Sequence, residues 1–185
     1  MNNSDLADLI SRTFPIIRQH IDAIVYIDQL VPSSVRFCTD KCLPRIVILN
    51  TASSNSTNLG HFLLLAIDTD NNFILFDSFA IPYRKRRLVN LNNFVRLYTQ
   101  TRNILVNKTD VQCQTTLTCS SYVLFVAYYL CRGIDYSRIL QLFSPEKCSV
   151  NERLVRNWML HQECTRRLPM STRQRRRLSR TMTLC

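Results

Sequence analysis

Residues 60–79 read GHFLLLAIDTDNNFILFDSF. Two apolar runs, 61–67 and 73–76, flank the polar sequence DTDNN, whose Asp and Asn residues favour tight turns. This pattern predicts a β-hairpin. Because both faces of the first run are apolar, we expect its strand to lie in the middle of a sheet with helices on both sides.

The segments around the hairpin predict a mixture of helices and strands. A loop is expected over 51–60, where TASSNSTNLG is polar and rich in turn formers. Apolar periodicity predicts helices over 5–13, from Pro15 to about Ile27, within 85–102, over 119–131 and over 135–143, and a short buried strand over Arg45–Leu49. The fold class expected from these elements is α+β, with a central mixed or antiparallel sheet.

The sequence SVNE at 149–152 has the form of a capping box. Ser149 would be the N-cap of a last amphipathic helix, and Glu152 would reach back to it from position N3.

Length and composition indicate one domain. The chain has 185 residues, of which 46% are hydrophobic, enough to bury one core but not two. Charges interrupt the apolar stretches too often for a membrane span, and the N-terminus lacks the basic start of a secretory signal, so we expect a soluble intracellular protein. In that compartment the eight cysteines are expected to be mostly reduced, although one pairing could still form.

The formal net charge of +11 is concentrated towards the end of the chain. Residues 165–185 contain seven arginines and no acid, which predicts a flexible basic tail after a folded domain over 1–164. Such a surface attracts polyanions, so we expect DNA contacts. The residues proposed for them are Arg84, Lys85, Arg86, Arg87, Arg173, Arg175, Arg176 and Arg177.

Cys119 is the cysteine best placed to be a nucleophile. It opens the apolar helix predicted over 119–131, where the helix dipole favours a thiolate. Cys131 lies at the opposite end of the same helix, where the dipole raises a thiol pKa, and Cys113 lies in the preceding loop.

The hairpin brings a histidine and a carboxylate to the same end of an antiparallel pair. His61 opens the first strand and Asp77 closes the second, as base and orienting acid would be arranged. Ideal register sets residue 61 opposite about residue 80, so an offset is required. An oxyanion would also need a side-chain amide, for which Gln112 and Gln114 are alternatives that spacing does not separate.

The block at 60–79 and the block VQCQTTLTCSSYVLFVAYYLC at 111–131 together resemble the His–acid–Gln–Cys blocks of adenovirus proteases. By position within them, the resemblance assigns His61, Asp77, Gln112 and Cys119, and it prefers Gln112 to Gln114. It implies an adenain-like α+β cysteine-protease fold and a monomeric endopeptidase that cleaves viral precursor proteins during virion maturation. It also implies activation by DNA or by a short basic peptide. With this reading we expect location in the virion and host nucleus, no membrane partner and no cofactor.

Three residues depart from the family pattern. Phe62 replaces the usual Trp, Ser120 replaces Gly after the nucleophile, and Asp77 replaces Glu, although deSUMOylating peptidases of the same clan use Asp. The segment LYTQTRN at 97–103 lacks the cysteine by which the adenoviral enzymes attach their activator peptide, so a disulfide-tethered activator is not expected.

Three other interpretations stay open. The chain could be a clan relative that removes ubiquitin-like proteins, or a non-catalytic nucleic-acid-binding or packaging protein on a degenerate protease fold. Zinc binding by Cys38, Cys42, His161 and Cys164 is disfavoured, because the two pairs are more than a hundred residues apart.

Overall fold

The computed structural model describes residues 1–37 and 43–167. Within them lie the helices α1 (Asn3–Thr13), α2 (Pro15–His20), α3 (Val89–Thr99), α4 (Cys119–Cys131), α5 (Tyr136–Leu140) and α6 (Cys148–Arg167). The strands there are β1 (Ile21–Tyr26), β2 (Arg45–Asn50), β3 (Phe62–Ile67), β4 (Phe73–Phe76) and β5 (Ile104–Val106). In the described chain, no helix has both the length and the apolar character that spanning a bilayer requires.

The strands form one mixed sheet in the order β1-β2-β3-β4-β5. The two outer pairs, β1 with β2 and β4 with β5, are parallel, and the two inner pairs are antiparallel. As predicted, β3 lies in the centre and every one of its residues is buried. The predicted α+β class with a central mixed sheet is confirmed.

Apolar residues cover both faces of the sheet. One cluster contains Ile48, Leu64 and Phe76 and extends into α1, α2, α4, α5 and α6. The other contains Leu49 and Leu65 and extends into α3 and the segment around Phe37. This double coverage explains why β3 is apolar on both faces.

The predicted second helix is wrong beyond residue 20. Residues 21–26 form β1, which pairs with β2 in parallel. The β-branched residues Ile21, Ile24 and Val25 suit a strand as well as a helix stripe, and the pairing with a distant segment decides the outcome. The β5 strand was also missed, because its three residues show too short a pattern.

Helix α4 is the central helix of the larger cluster and confirms the prediction of a buried helix over 119–131. Phe125 on this helix is 1% exposed, and its ring contacts Tyr129, Phe143 and Trp158 with centroid distances of 4.8, 5.4 and 5.2 Å. Helix α4 is therefore held against α6 by an aromatic cluster.

Truncating the centre of this cluster should be costly. We expect Phe125→Ala to lower the free energy of unfolding by about 3–5 kcal/mol, because it removes buried area and leaves a cavity. Urea denaturation of the two proteins measures the difference. Leu160→Ala, at a half-exposed position of α6, is the control and should change stability by about 0.5 kcal/mol or less. A loss below about 1 kcal/mol for Phe125→Ala would show that the site repacks freely.

Candidate active site

His61 is positioned by its backbone just before β3. Its N–H donates to Thr51 Oγ1 at 2.9 Å, and its carbonyl accepts from Thr51 N–H at 2.9 Å. The preceding Gly60 has φ +67°, and a Cβ there would lie 2.1 Å from Asn50 Oδ1 and 2.7 Å from Ala52 N. A side chain at position 60 would therefore collide with the turn that presents the histidine.

Asp77 follows β4 in a turn that directs its carboxylate towards His61. Its Oδ1 lies 2.8 Å from His61 Nε2 and also accepts the Phe79 N–H at 2.9 Å. Its backbone is held by Asn107, whose Oδ1 accepts the Asp77 N–H at 3.0 Å and whose Nδ2 donates to the Asp77 carbonyl at 2.6 Å. The predicted pairing of His61 with Asp77 is thus present in the structure.

The offset that the register required has a simple origin. Leu64 pairs with Phe76, so continuing the ladder would place residue 79 opposite residue 61. The Phe79 ring does stack on the His61 ring, with centroids 4.8 Å apart. Asp77 reaches the histidine because the strand ends at Phe76 and the chain turns, as the bond from Ala80 N–H to the Asp77 carbonyl at 2.7 Å shows.

Arg86 holds the other side of the carboxylate. Its Nε donates to Asp77 Oδ2 at 2.9 Å, its Nη2 also contacts Oδ2, and only 13% of its side chain is exposed. Arg86 is one of the residues predicted to contact nucleic acid, but in the structure its guanidinium forms an ion pair with Asp77. Burial raises the pKa of Asp77, yet the hydrogen bond from His61 and the charge of Arg86 outweigh it, so the pKa is lowered and the carboxylate stays ionised.

Cys119 is the first residue of α4. Burial by itself raises the pKa of its thiol, but a hydrogen bond from His61 and the backbone N–H groups of Phe62 and Ser120 outweigh this, and the pKa is lowered. In contrast, burial raises the pKa of Cys131 at the other end of the helix to about 12. The same helix therefore carries one thiol whose pKa is lowered and one whose pKa is raised, and the first is the better candidate nucleophile.

The His61 ring connects the acid to the thiol. Because Nε2 faces Asp77, Nδ1 is the nitrogen available for its hydrogen bond with Cys119. Burial lowers the pKa of His61, but the hydrogen bonds to Asp77 and Cys119 and their charges raise it above the ordinary value. A raised histidine pKa beside a lowered cysteine pKa favours a thiolate–imidazolium pair.

The two candidate glutamines lie in different surroundings. Gln112 is 2% exposed, its Oε1 accepts the Ser78 hydroxyl at 2.6 Å, and its Nε2 donates to the Thr116 carbonyl at 2.8 Å. Nε2 also makes a longer contact of 3.4 Å with Thr116 Oγ1, and together these bonds fix the plane of the amide. Gln114 is exposed. This placement favours Gln112 as the candidate oxyanion donor.

The loop before Cys119 is attached to the start of α6. A disulfide joins Cys113 to Cys148 with Cα atoms 5.1 Å apart, a pairing of the kind that the expectation of mostly reduced thiols left open. Asn151 Nδ2 donates to the Val111 carbonyl at 3.0 Å. The predicted capping box is also wrong, because the helix already begins at Cys148 and Glu152 hydrogen-bonds to this loop instead.

The remaining predicted residues are on the surface or outside the described chain. Arg84, Lys85 and Arg87 are exposed, next to the buried end of Arg86. The predicted tail residues Arg173, Arg175, Arg176 and Arg177 lie outside the described residues, as do Cys38 and Cys42 of the disfavoured zinc set, whereas residues 165–167 belong to α6. In the described ranges, no group of three His, Cys, Asp or Glu residues is arranged to hold a metal.

No protein-family model and no curated protein matches this chain. Among solved structures, the ASFV pS273R protease resembles it at 14% identity and a TM-score of 0.46, covering 83% of this chain and 66% of that one. AvrA delL154 with IP6 and CoA resembles it at 16% identity and a TM-score of 0.44, covering 69% of this chain and 47% of that one. This chain thus spans less than two thirds of the length of each. At these values neither likeness assigns it to a family.

Proposed function

We propose that the protein is a cysteine peptidase in which Cys119 is the nucleophile, His61 the base and Asp77 the residue that orients His61. The observation that carries the proposal is that one partly buried imidazole bonds to a carboxylate through Nε2 and, on its other side, to a thiol at a helix N-terminus. Singly, each of these residues has ordinary structural explanations. Their hydrogen-bonded order is that of a nucleophile, a base and an orienting acid.

The chemistry follows from this order. The Cys119 thiolate attacks the carbonyl carbon of a peptide bond and forms a C–S bond, and the carbonyl oxygen becomes an oxyanion. The Cys119 N–H, which has no carbonyl partner within its own helix, would stabilise it together with Gln112 Nε2, which would exchange its long contact of 3.4 Å with Thr116 Oγ1 for the oxyanion. The His61 imidazolium then gives its proton to the leaving amine as the C–N bond breaks. Water, deprotonated by His61, hydrolyses the thioester and releases the acid and the thiol.

The substrates and setting proposed for the enzyme come from the resemblance to adenovirus proteases. We propose viral precursor proteins as substrates, cleaved by a monomer in the virion and the host nucleus. DNA is proposed as the stimulating polyanion, supported by the net charge of +11 and by the exposed side chains of Arg84, Lys85 and Arg87.

Labelling of the purified full chain with a Gly-containing peptide vinyl sulfone tests the proposal. We expect mass mapping to find the probe on Cys119, to find none in His61→Ala, and to find faster labelling with DNA than without it. Cys164 provides an internal control, because it is an exposed thiol outside the site. Labelling of Cys164 as fast as Cys119, or no labelling, would support the non-catalytic nucleic-acid-binding alternative.

A further inference from the structure

Glu152, on the first turns of α6, bonds to the loop that leads into the nucleophile helix. Its Oε1 accepts the Thr116 hydroxyl at 2.6 Å and the Cys113 N–H at 3.3 Å. The Thr118 hydroxyl lies 3.0 Å from Oε1 and 2.9 Å from Oε2. One partly buried carboxylate therefore accepts hydrogen bonds from three residues between Gln112 and Cys119.

The first of these bonds leads to the candidate oxyanion donor. Thr116 contacts Glu152 through its hydroxyl and holds Gln112 Nε2 through its carbonyl, at 2.8 Å. Ser78 fixes the other end of the same amide at 2.6 Å. Nε2 also lies 3.4 Å from Thr116 Oγ1, so the direction of the amide depends on where Thr116 is held. The Thr116 hydroxyl contacts the Cys113 carbonyl at 2.9 Å, and its shorter contact, at 2.6 Å, is with Glu152.

A second connection leads to the nucleophile itself. Thr118, which both Glu152 oxygens contact, is the N-cap of α4 and immediately precedes Cys119. Tyr122, one turn into α4, donates its hydroxyl to the Val111 carbonyl at 3.1 Å. Burial first, and the Glu152 charge and hydrogen bond second, raise the pKa of Tyr122, so this hydroxyl stays protonated.

We propose that Glu152 is a positioning residue for the oxyanion site, which sets the Gln112 amide and the Cys119 N–H at their working distance. The inference rests on the proposed peptidase function. The carboxylate is suited to this role because it offers two acceptor oxygens to several donors, whereas an amide of the same shape offers one acceptor oxygen and adds competing donors. Displacement of a donor by about 1 Å is enough to cost about 10²-fold in rate.

Glu152→Gln in the full chain tests this role with two probes of different chemistry. Alkylation of Cys119 by iodoacetamide depends on the thiolate, which His61, Phe62 and Ser120 support, and its rate should stay within about 3-fold of the wild-type rate. A peptide aldehyde forms an oxyanion-like adduct, and its affinity should fall by about 10-fold or more. With a cleaved peptide, kcat should fall by about 10²-fold while KM changes little.

The matched variants separate positioning from mere stability. Glu146→Gln removes an exposed acid from the loop before α6 and should behave as wild type. Thr116→Val should reproduce the loss in aldehyde affinity, whereas Thr116→Ser, which keeps the hydroxyl, should bind the aldehyde like the wild type. The double variant Thr116→Val with Glu152→Gln should lose no more affinity than either single variant, because both substitutions act on one chain of contacts.

Either of two outcomes would overturn the inference. Unchanged aldehyde affinity and kcat in Glu152→Gln would show that the loop holds its position without this carboxylate. Equal losses in alkylation and aldehyde binding, together with a lower Tm, would indicate a purely structural role. Failure of the peptidase proposal is distinguishable from both, because the wild-type chain itself would then bind no aldehyde at Cys119.

Discussion

Cys119→Ala is expected to abolish peptide cleavage, with kcat at least about 10⁴-fold lower than in the wild-type protein. Loss of the sulfur removes the atom that forms the acyl-enzyme, and the remaining donors cannot form that covalent bond. The fold should persist, because Cys119 lies only at the edge of the core and its replacement is small. A fluorogenic peptide assay and thermal unfolding of the same preparations measure the two expectations.

Cys164→Ser is the matched control for this variant. It changes an exposed thiol on α6 and should leave cleavage and Tm unchanged. Cleavage retained by Cys119→Ala would disprove the assignment of the nucleophile, and joint loss of activity and folded structure would call for Cys119→Ser, which keeps the size of the side chain.

Asp77→Asn should have the next largest effect, a fall in kcat/KM of about 10³–10⁴-fold. Asp77 Oδ1 accepts from His61 Nε2 and so selects the tautomer whose Nδ1 can take the thiol proton. An asparagine amide can donate to Nε2 instead, which places the ring proton on Nδ1, where it blocks proton uptake from Cys119. The variant also leaves the Arg86 charge without its partner.

The same substitution should change the pH profile in a defined direction. The hydrogen bond and charge of Asp77 raise the pKa of His61, so in the wild-type protein the imidazolium persists to a higher pH than an ordinary histidine allows. In Asp77→Asn this contribution is absent, and the alkaline limb of the kcat/KM profile for peptide cleavage should move to lower pH, because cleavage needs the imidazolium to protonate the leaving amine. Asp135→Asn, at an exposed site on a surface ion pair, should leave the profile unchanged. An unmoved alkaline limb in Asp77→Asn would contradict the pairing.

The parts of the site that depend on local patterns were predictable from the sequence. The turn residues between two apolar runs predicted the hairpin that joins His61 to Asp77, and the length of the apolar run after Cys119 predicted α4. These patterns succeed because a hairpin and a buried helix each show their periodicity within a dozen residues. The choice between Gln112 and Gln114 was not open to spacing, since burial of one and exposure of the other depend on the whole fold.

The parts that depend on distant contacts were missed or misread. Glu152 has the sequence context of a helix cap, but 34 residues separate it from Thr118, whose hydroxyl it binds. Arg86 looked like one more surface charge in RKRR, and nothing in its neighbours indicates that it alone turns towards Asp77. The Cys113–Cys148 disulfide spans 35 residues and has no spacing signature that distinguishes it from the other cysteine pairs.

Gly60 shows how a residue without a side chain can be as intolerant of substitution as the proposed catalytic residues. Every side chain at this position would meet Asn50 and Ala52, and the positive φ adds to the cost, so the turn would shift and carry the imidazole with it. In a saturation mutagenesis screen scored by activity, position 60 should therefore cluster with position 61. Intolerance to substitution marks both the residue that reacts and the neighbour that makes room for it.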